Sequence, residues 1–267
     1  MILCPTYGFA FVHVPKCAGS SVRRQIEACD PENTVFGRVG QHPVLGKIDY
    51  GHIPLSVLRE HFAETYDFLL RNDCYAVVRD PLARFGSAVR QTLWAYQKKP
   101  MTLYSRQELR EETARIMEDL AKDIDALPHR LTFFQRQQDF IRDRDQTVVQ
   151  NVYAIDHVDQ LLEEIGARVG QQLDPQMRAN QNVSLRYKSI GGIAYRINDL
   201  LFRYAPKGLH ETVKKAALPV LAKKKDAASE SGILDLPEVR AFVADHYAID
   251  SEIYRDALAA RSVSAAS

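Results

Sequence analysis

Residues Phe9–Arg24 read FAFVHVPKCAGSSVRR. The apolar run Phe9–Val12 continues through His13 and Val14 to Pro15, without polar alternation. Such a run predicts a strand buried on both faces, the habit of a parallel sheet. Lys16, the small residues Cys17, Ala18 and Gly19, the hydroxyls Ser20 and Ser21, and then Val22, Ile26 and Cys29 at helical spacing predict a tight turn into a helix. Strand, small-residue turn and helix aim free backbone N–H groups and a positive helix end at one point, where a phosphate is stabilised. Small residues let the backbone approach the anion, and Lys16 adds a point charge. This is not the ATP/GTP loop, because G-x-x-x-x-G-K-[ST] does not occur and the lysine precedes the glycine. Taken alone, the stretch also admits a plainer reading, with Lys16 solvated and Ser20 or Ser21 an N-cap.

A second stretch repeats the plan. Tyr75–Val78 predicts another short buried strand, followed by Arg79-Asp80-Pro81-Leu82-Ala83-Arg84-Phe85-Gly86-Ser87. Pro81 suits a first helical turn. On the helix that follows, Arg84, Ser87 and Gln91 share one face, while Phe85, Ala88, Thr92, Leu93 and Tyr96 line a core face. Arg79, at the strand's end, falls where ligands of open α/β sheets gather.

P-K-C-A-G-S-S after one strand and R-D-P-x-x-R-x-x-S after a later one together resemble the paired phosphosulfate motifs of sulfotransferases. The resemblance is to the carbohydrate sulfotransferases that include heparan-sulfate 2-O-sulfotransferase. It implies PAPS (3′-phosphoadenosine 5′-phosphosulfate) as donor and PAP as product, with no metal. Carried across, it places Lys16 at the bridging and leaving oxygens. Cys17, Ala18, Gly19, Ser20 and Ser21 fall around the 5′ side, and Arg79, Arg84 and Ser87 hold the cofactor at its 3′-phosphate end. Ala18 stands where the family usually has glycine. Tyr50-Gly51-His52-Ile53 resembles the family's H-G-H-V stretch, which puts His52 in the position of the catalytic base and Tyr50 in that of the first histidine. His13, within the first strand, reads as a hydrogen-bonded core histidine. Phe134–Ile141 resembles an F-R-P-Q-x-x-F stretch near the acceptor cleft, with Gln137 at the family glutamine, and a structural role fits Gln137 equally well. Tyr247, Asp250 and Tyr254 resemble the family's closing Y-x-x-D-x-x-x-[FY] signature.

The remaining chain suits one domain spanning residues 1–267, long enough for a substantial core. Strands alternate with helical patterns, including strand residues within Gln146–Ile155 and a helix capped by Asp156, which suits a parallel sheet with right-handed crossovers. Together with the resemblance this gives the expected fold class: α/β, a P-loop-like parallel sheet flanked by helices in a three-layer sandwich. Charge is balanced at 35 Lys+Arg against 34 Asp+Glu, so no global field argues for nucleic acid. Cys4, Cys17, Cys29 and Cys74 show neither zinc spacing nor a disulfide framework, as expected for thiols in a reducing compartment. No basic segment followed by a long apolar core opens the chain, so neither a secretory signal nor a membrane span is expected, and the reading is of a cytoplasmic bacterial enzyme.

Near the C-terminus the composition shifts. Residues 186–225 hold ten Lys/Arg and two acids, a local charge of 10 − 2 = +8. Ile193, Ile197, Leu200, Leu201 and Tyr204 form an apolar stripe within it. The 186–232 segment therefore reads as a helical basic insertion or lid. It would either pack on the core with a solvated basic rim or make peripheral contact with an anionic membrane or acceptor. Residues 262–267 read as a disordered tail. A glycan or glycolipid is the expected acceptor, on the Gly51-His52 match and the insertion's charge. Two rival classes remain at this level: a nucleotide-dependent kinase-like enzyme, and a catalytically silent glycan- or lipid-binding protein.

Overall fold

The structure, a computed structural model, describes residues 1–30, 34–37, 39–97, 99, 101–122, 127–175, 184–185, 222–223 and 232–262. Its centre is a five-stranded sheet built from β1 (Ile2–Cys4), β2 (Phe9–Val12), β3 (Thr34–Val35), β6 (Asp73–Val78) and β9 (Asn151–Ala154), in the order β3-β1-β2-β6-β9. Strand β2 is buried along its whole length and β6 at every residue but the first, which is what their uninterrupted apolar runs predict. They pair in parallel, with Phe9 opposite Asp73 and Val12 opposite Ala76, and β6 pairs in parallel with β9.

The sheet is mixed, not wholly parallel as expected. Strand β1 runs antiparallel to both β2 and β3. Between β1 and β2 stand only a 3-10 turn at Pro5–Tyr7 and Gly8, whose φ of 62° is the left-handed backbone that glycine adopts without strain. A connection that short reverses the chain, whereas a parallel pairing needs a crossover of a dozen residues or more.

Helix α1 (Gly19–Cys29) follows β2. A separate antiparallel ladder of β4 (Val39–His42) and β5 (Gly46–Asp49) comes next, then α2 (Leu55–His61) and α3 (Ala63–Arg71). Helix α4 (Pro81–Thr92) follows β6, and a π-helical turn, Leu93–Gln97, extends it. That turn changes the residue spacing. Tyr96, expected on the core face, is instead 44% exposed, and its hydroxyl lies 2.9 Å from His129 Nδ1. After α5 (Arg106–Lys122) come two 3-10 helices, His129–Phe134 and Gln137–Phe140, and a two-stranded ladder of β7 (Arg142–Asp143) and β8 (Gln146–Thr147). The strand expected within Gln146–Ile155 is thus two, β8 and β9. Helix α6 (Val158–Val169) takes His157 as its N-cap residue. Asp156, expected to cap it, accepts a hydrogen bond from Tyr254 Oη at 2.8 Å instead.

Of the 186–232 segment, residues 186–221 and 224–231 lie outside the described residues, as do 263–267 of the expected tail; Ser262, expected to begin that tail, instead ends the last helix. The segment's two flanks pair antiparallel, β10 (Ser184–Leu185) on β11 (Ala222–Lys223). Helices α7 (Pro237–His246) and α8 (Ala248–Ser262) end the chain.

Buried apolar side chains fall into two clusters. The larger joins the sheet with α1, α2, α6 and α8; the smaller joins α4, α5, Leu131, Phe134 and α7. Each fully buried Phe, Leu or Ile contributes about 1.5–3 kcal/mol. All four cysteines are buried free thiols. Among the described residues, no helix is long and apolar enough to cross a membrane.

Candidate functional site

Parallel pairing of β2 and β6 sends both strands out of the sheet at the same edge, so the two turns flagged in the sequence emerge side by side. After β2, the backbone takes two left-handed residues that are not glycine, Lys16 (φ 66°) and Ala18 (φ 62°), with Cys17 between them outside that region. Each such residue costs about 1–2 kcal/mol. Alternation of this kind turns successive N–H groups toward a common centre. The N-cap residue of α1 is Ala18, which has no side-chain acceptor. Ser20 and Ser21 lie inside the helix, so neither is the N-cap of the plainer sequence reading. Ser21 N–H donates to Ala18 O at 2.9 Å. The opening N–H groups of α1, at Gly19 and Ser20, are left without a capping side chain, the arrangement that suits an external anion.

Gly19 is required by space. A Cβ there would fall 2.0 Å from His13 Cδ2, so any side chain would drive the His13 ring from its place. Cys17 anchors the loop from beneath. Its thiol, pushed up to about 12 by burial, donates to Gln137 Oε1 at 3.2 Å and is neutral at ordinary pH.

Lys16 Nζ reaches across to α4 and donates to Gln91 Oε1 at 3.3 Å. Burial pushes its ammonium down to about 8, and the nearby Arg90 and Arg79 push it the same way. Neither Lys16 nor Arg79 forms an ion pair with a carboxylate among the described residues. A partly buried cation beside other cations is electrostatically incomplete, and an anion completes it.

The second turn is fixed differently. Gln137, fully buried, accepts from Arg79 N–H through Oε1 and donates to Arg79 O through Nε2, both at 2.9 Å. Asp80 accepts from Ala83 N–H at 2.8 Å and so caps α4, with Pro81 in its first turn as the sequence suggests. Along α4, Ser87 is buried and its Oγ accepts from Arg90 Nη2 at 3.3 Å. Ser87, Arg90 and Gln91 share a face, since residues three and four apart are neighbours on a helix.

Arg84, expected at the cofactor, is placed elsewhere. It is 1% exposed, donates to Phe133 O at 3.2 Å, lies 3.6 Å from Asp250 and stacks over the Tyr247 ring at 5.0 Å. The face expected to present Arg84 with Ser87 and Gln91 is therefore split, because α4 packs into the second core cluster, and Arg84 turns to Phe133, Tyr247 and Asp250. Asp250 also accepts from the N–H groups of Gln137 and Gln138, at 2.8 and 2.9 Å. Tyr247 Oη donates to Phe134 O at 2.8 Å. The closing Tyr247, Asp250 and Tyr254 triplet thus works as anchorage. Gln137, which the sequence relates to the acceptor cleft, joins Cys17, Arg79 and Asp250 beneath both turns.

His52 follows β5 in the β4–β5 ladder, not a strand of the main sheet. It is held by an Asp49 turn, in which His52 N–H donates to Asp49 O at 3.0 Å and Gly51 N–H to Asp49 Oδ1 at 2.9 Å. That turn brings its imidazole back to the end of β2, where Nδ1 lies 3.0 Å from His13 O. A carbonyl can only accept, so Nδ1 carries the proton and Nε2 keeps its lone pair. Burial holds the imidazole neutral, with a pKa of about 4, against the raising effect of Asp49. The His13 ring packs on it at 4.3 Å between centroids. His13 is buried but is not hydrogen-bonded as expected, since its Nδ1 has no partner among the described residues. The Phe133 ring stands between the two expected catalytic groups, 5.6 Å from Lys16 Nζ and 6.1 Å from the His52 ring. Tyr50 turns away and donates to Gln41 O at 3.4 Å.

The site therefore unites Lys16, Gly19, Ser20, Arg79, Ser87 and His52 of the sequence reading at one sheet edge and removes Arg84. Sequence reasoning missed Arg90 and Phe133. Arg90 lies three residues past Ser87, a spacing that a helical wheel reveals once Ser87 is taken as a ligand. No protein-family model matches the chain, and no curated protein or solved structure matches it significantly. Fold and site together define a mixed α/β protein in which Lys16, Arg79 and an uncapped helix terminus gather at one sheet edge beside a neutral imidazole.

Proposed function

We propose that the protein is a sulfotransferase that moves the sulfuryl group of PAPS to a hydroxyl acceptor, most simply a sugar on a glycan or glycolipid. The observation that carries this reading is the Lys16–Gln91 contact at 3.3 Å, which sets the uncapped α1 terminus and the Arg79/Ser87 turn against one another. A donor with phosphate groups on both its 5′ and 3′ oxygens offers one anionic end to each turn. The donor groups present fit it, being ammonium, guanidinium, hydroxyl and backbone N–H. The same proposal takes the architecture as P-loop-like and three-layered, the location as cytoplasmic, and the basic 186–225 region as a contact for an anionic acceptor or membrane.

The chemistry asks little covalent work of the protein. Sulfuryl transfer, like phosphoryl transfer, passes through a loose in-line transition state with charge growing on the leaving oxygen. Lys16 and the Gly19 and Ser20 N–H groups meet that charge with fixed positive potential. His52 Nε2 accepts the proton of the acceptor hydroxyl as the new S–O bond forms and the old one breaks. Arg79 and Ser87 hold the far phosphate and fix the donor's orientation. His13 keeps His52 in the required tautomer through its carbonyl, and Gly19 leaves room for the His13 ring.

Incubation of the protein with labelled PAPS and a panel of glycan, glycolipid and phenolic acceptors tests the reading. Transfer that disappears in His52→Ala while PAP still binds is expected. Transfer that survives in His52→Ala assigns the base elsewhere, and a protein that binds neither PAPS nor PAP refutes the proposal.

A further inference from the structure

The proposed mechanism uses His13 only through its backbone carbonyl, yet its ring lies between the start of α1 and the base. In the run Phe9–Val14 every residue is buried, and every one but His13 is apolar. His13 Nδ1 has no hydrogen-bond partner among the described residues, a penalty that a leucine or valine at this place would not carry. The ring touches both halves of the site. Its Cδ2–Nε2 edge faces Gly19, so closely that a Cβ there would fall 2.0 Å from Cδ2 and 2.4 Å from Nε2. It also packs on the His52 imidazole, with centroids 4.3 Å apart and planes at 60°. The bond from His52 Nδ1 to His13 O, at 3.0 Å, fixes one atom of the His52 ring but leaves the ring free to tilt about that contact. Packing against His13 removes that freedom, since Phe133 faces His52 only from 6.1 Å. Of the charged groups around His52, Asp49 favours its protonated form, while Lys16 and the Met1 amino group oppose it; His13 is itself kept neutral by burial.

We propose that His13 is a positioning residue whose ring locks the His52 imidazole against the start of α1, so that Nε2 is held as a proton acceptor at a fixed place beside the anion bound at that helix terminus. This role rests on the reading of His52 as the base of the proposed transfer, and it asks no proton of His13. The carbonyl belongs to the main chain and survives any substitution at this position, so side-chain variants test the ring alone. With the ring gone, His52 keeps its bond to the carbonyl but tilts about it, and water takes the ring's place. A catalytic group displaced by about 1 Å loses much of its effect. A hydrated imidazole beside Asp49 takes up a proton near its ordinary value of about 6.5.

The test combines PAPS-transfer kinetics, calorimetric titration with PAP and an NMR titration of the His52 imidazole, on the wild-type protein, His13→Ala and His13→Asn. The expected result is a fall in kcat of about 10- to 100-fold in both variants, the range for a displaced general base, with PAP affinity little changed. Their rates should also gain an acid limb, about 4-fold lower at pH 6 than at pH 8, that the wild type lacks. The His52 signals should titrate in that interval in the variants and stay those of the neutral ring in the wild type. A packing defect alone would lower stability without either pH change. His13→Asn leaves the smaller cavity and provides the same comparison if His13→Ala does not fold. Unchanged kcat, or His52 signals alike in variant and wild type, would overturn the proposal. A loss of PAP affinity as large as the loss of kcat would make His13 a support of the first turn and overturn it too. A wild-type protein that transfers nothing from PAPS overturns the reading beneath and the catalytic role with it, whereas the NMR titration decides by itself whether the ring governs His52.

Discussion

The two turns at the sheet edge start from the same plan, strand then turn then helix, and reach opposite solutions. The first keeps its helix terminus open. Its N-cap residue is Ala18, and two left-handed residues, Lys16 and Ala18, hold the backbone toward the terminus. The second closes its terminus, with Asp80 on Ala83 N–H and Pro81 contributing no N–H of its own. An open helix end can bind an anion through the backbone; a capped one must use side chains farther along. Hence the first turn offers amides and one lysine, and the second offers the side chains of Arg79 and Ser87. Fixed amides suit charge that develops during reaction, and flexible cations suit a group that is only held.

The largest expected effect bears on what both turns share. Asp250 neutralises Arg84, and its carboxylate receives the N–H groups of Gln137 and Gln138, while Gln137 holds Cys17 and Arg79. Asp250→Ala would leave a buried guanidinium without its carboxylate, at a cost of about 3–5 kcal/mol. Denaturant unfolding should show that loss, and loss of PAP binding should accompany it at temperatures where the variant is partly unfolded. A variant as stable as wild type would separate the two turns from their common support.

The next effect separates the turns. Lys16→Ala should lower kcat by about 100- to 1,000-fold, the range for one preorganised donor at a developing charge, with little change in PAP Kd. Arg79→Ala should do the reverse, weakening PAP by about 10- to 100-fold while kcat at saturation changes less. Steady-state kinetics with PAP inhibition measures both. The same kcat and Kd pattern in the two variants would erase the distinction.

A smaller effect is set by pH. Lys16 has a folded-state pKa of about 8 against an ordinary 10.5. Between those values the unfolded chain holds a proton that the folded chain lacks, so this residue's contribution to the stability of the ligand-free protein rises with pH from about 8 upward. Anion affinity moves oppositely, falling as the ammonium is lost above pH 8. Lys16→Arg should flatten that fall, and titrations with PAP at pH 7 and 9 would show it. His52, neutral down to about pH 4, should impose no loss of rate between pH 8 and 6.

The smallest effect concerns backbone strain. Ala18→Gly relieves about 1–2 kcal/mol of left-handed strain and adds about 0.5–1 kcal/mol of unfolded-state entropy. A net stabilisation of about 0 to 1.5 kcal/mol is expected, read as a small rise in Tm, whereas Gly19→Ala should destabilise, since its Cβ would strike the His13 ring.

Much of this was legible in the sequence, and what was not has physical causes. The buried runs at Phe9–Val12 and Tyr75–Val78 announced central strands because nothing polar interrupts them. The capping role of Asp80 and the place of Pro81 were local and readable. Arg84 misled because a helical wheel separates polar from apolar residues but cannot tell solvent from a second buried cluster, where Asp250 neutralises the charge. Tyr96 misled because a π-helical turn shifts the spacing that the wheel assumes. The Gln137 hub and the pairing of His52 with His13 O join residues 39 to 120 positions apart, and no local pattern encodes such contacts.

A crystal structure of the protein with PAP would decide whether two dissimilar turns grip one nucleotide. The 5′-phosphate should lie on the Gly19 and Ser20 N–H groups and Lys16 Nζ, and the 3′-phosphate beside Arg79 and Ser87. A nucleotide bound in the opposite sense, or away from the edge shared by β2 and β6, would contradict that account.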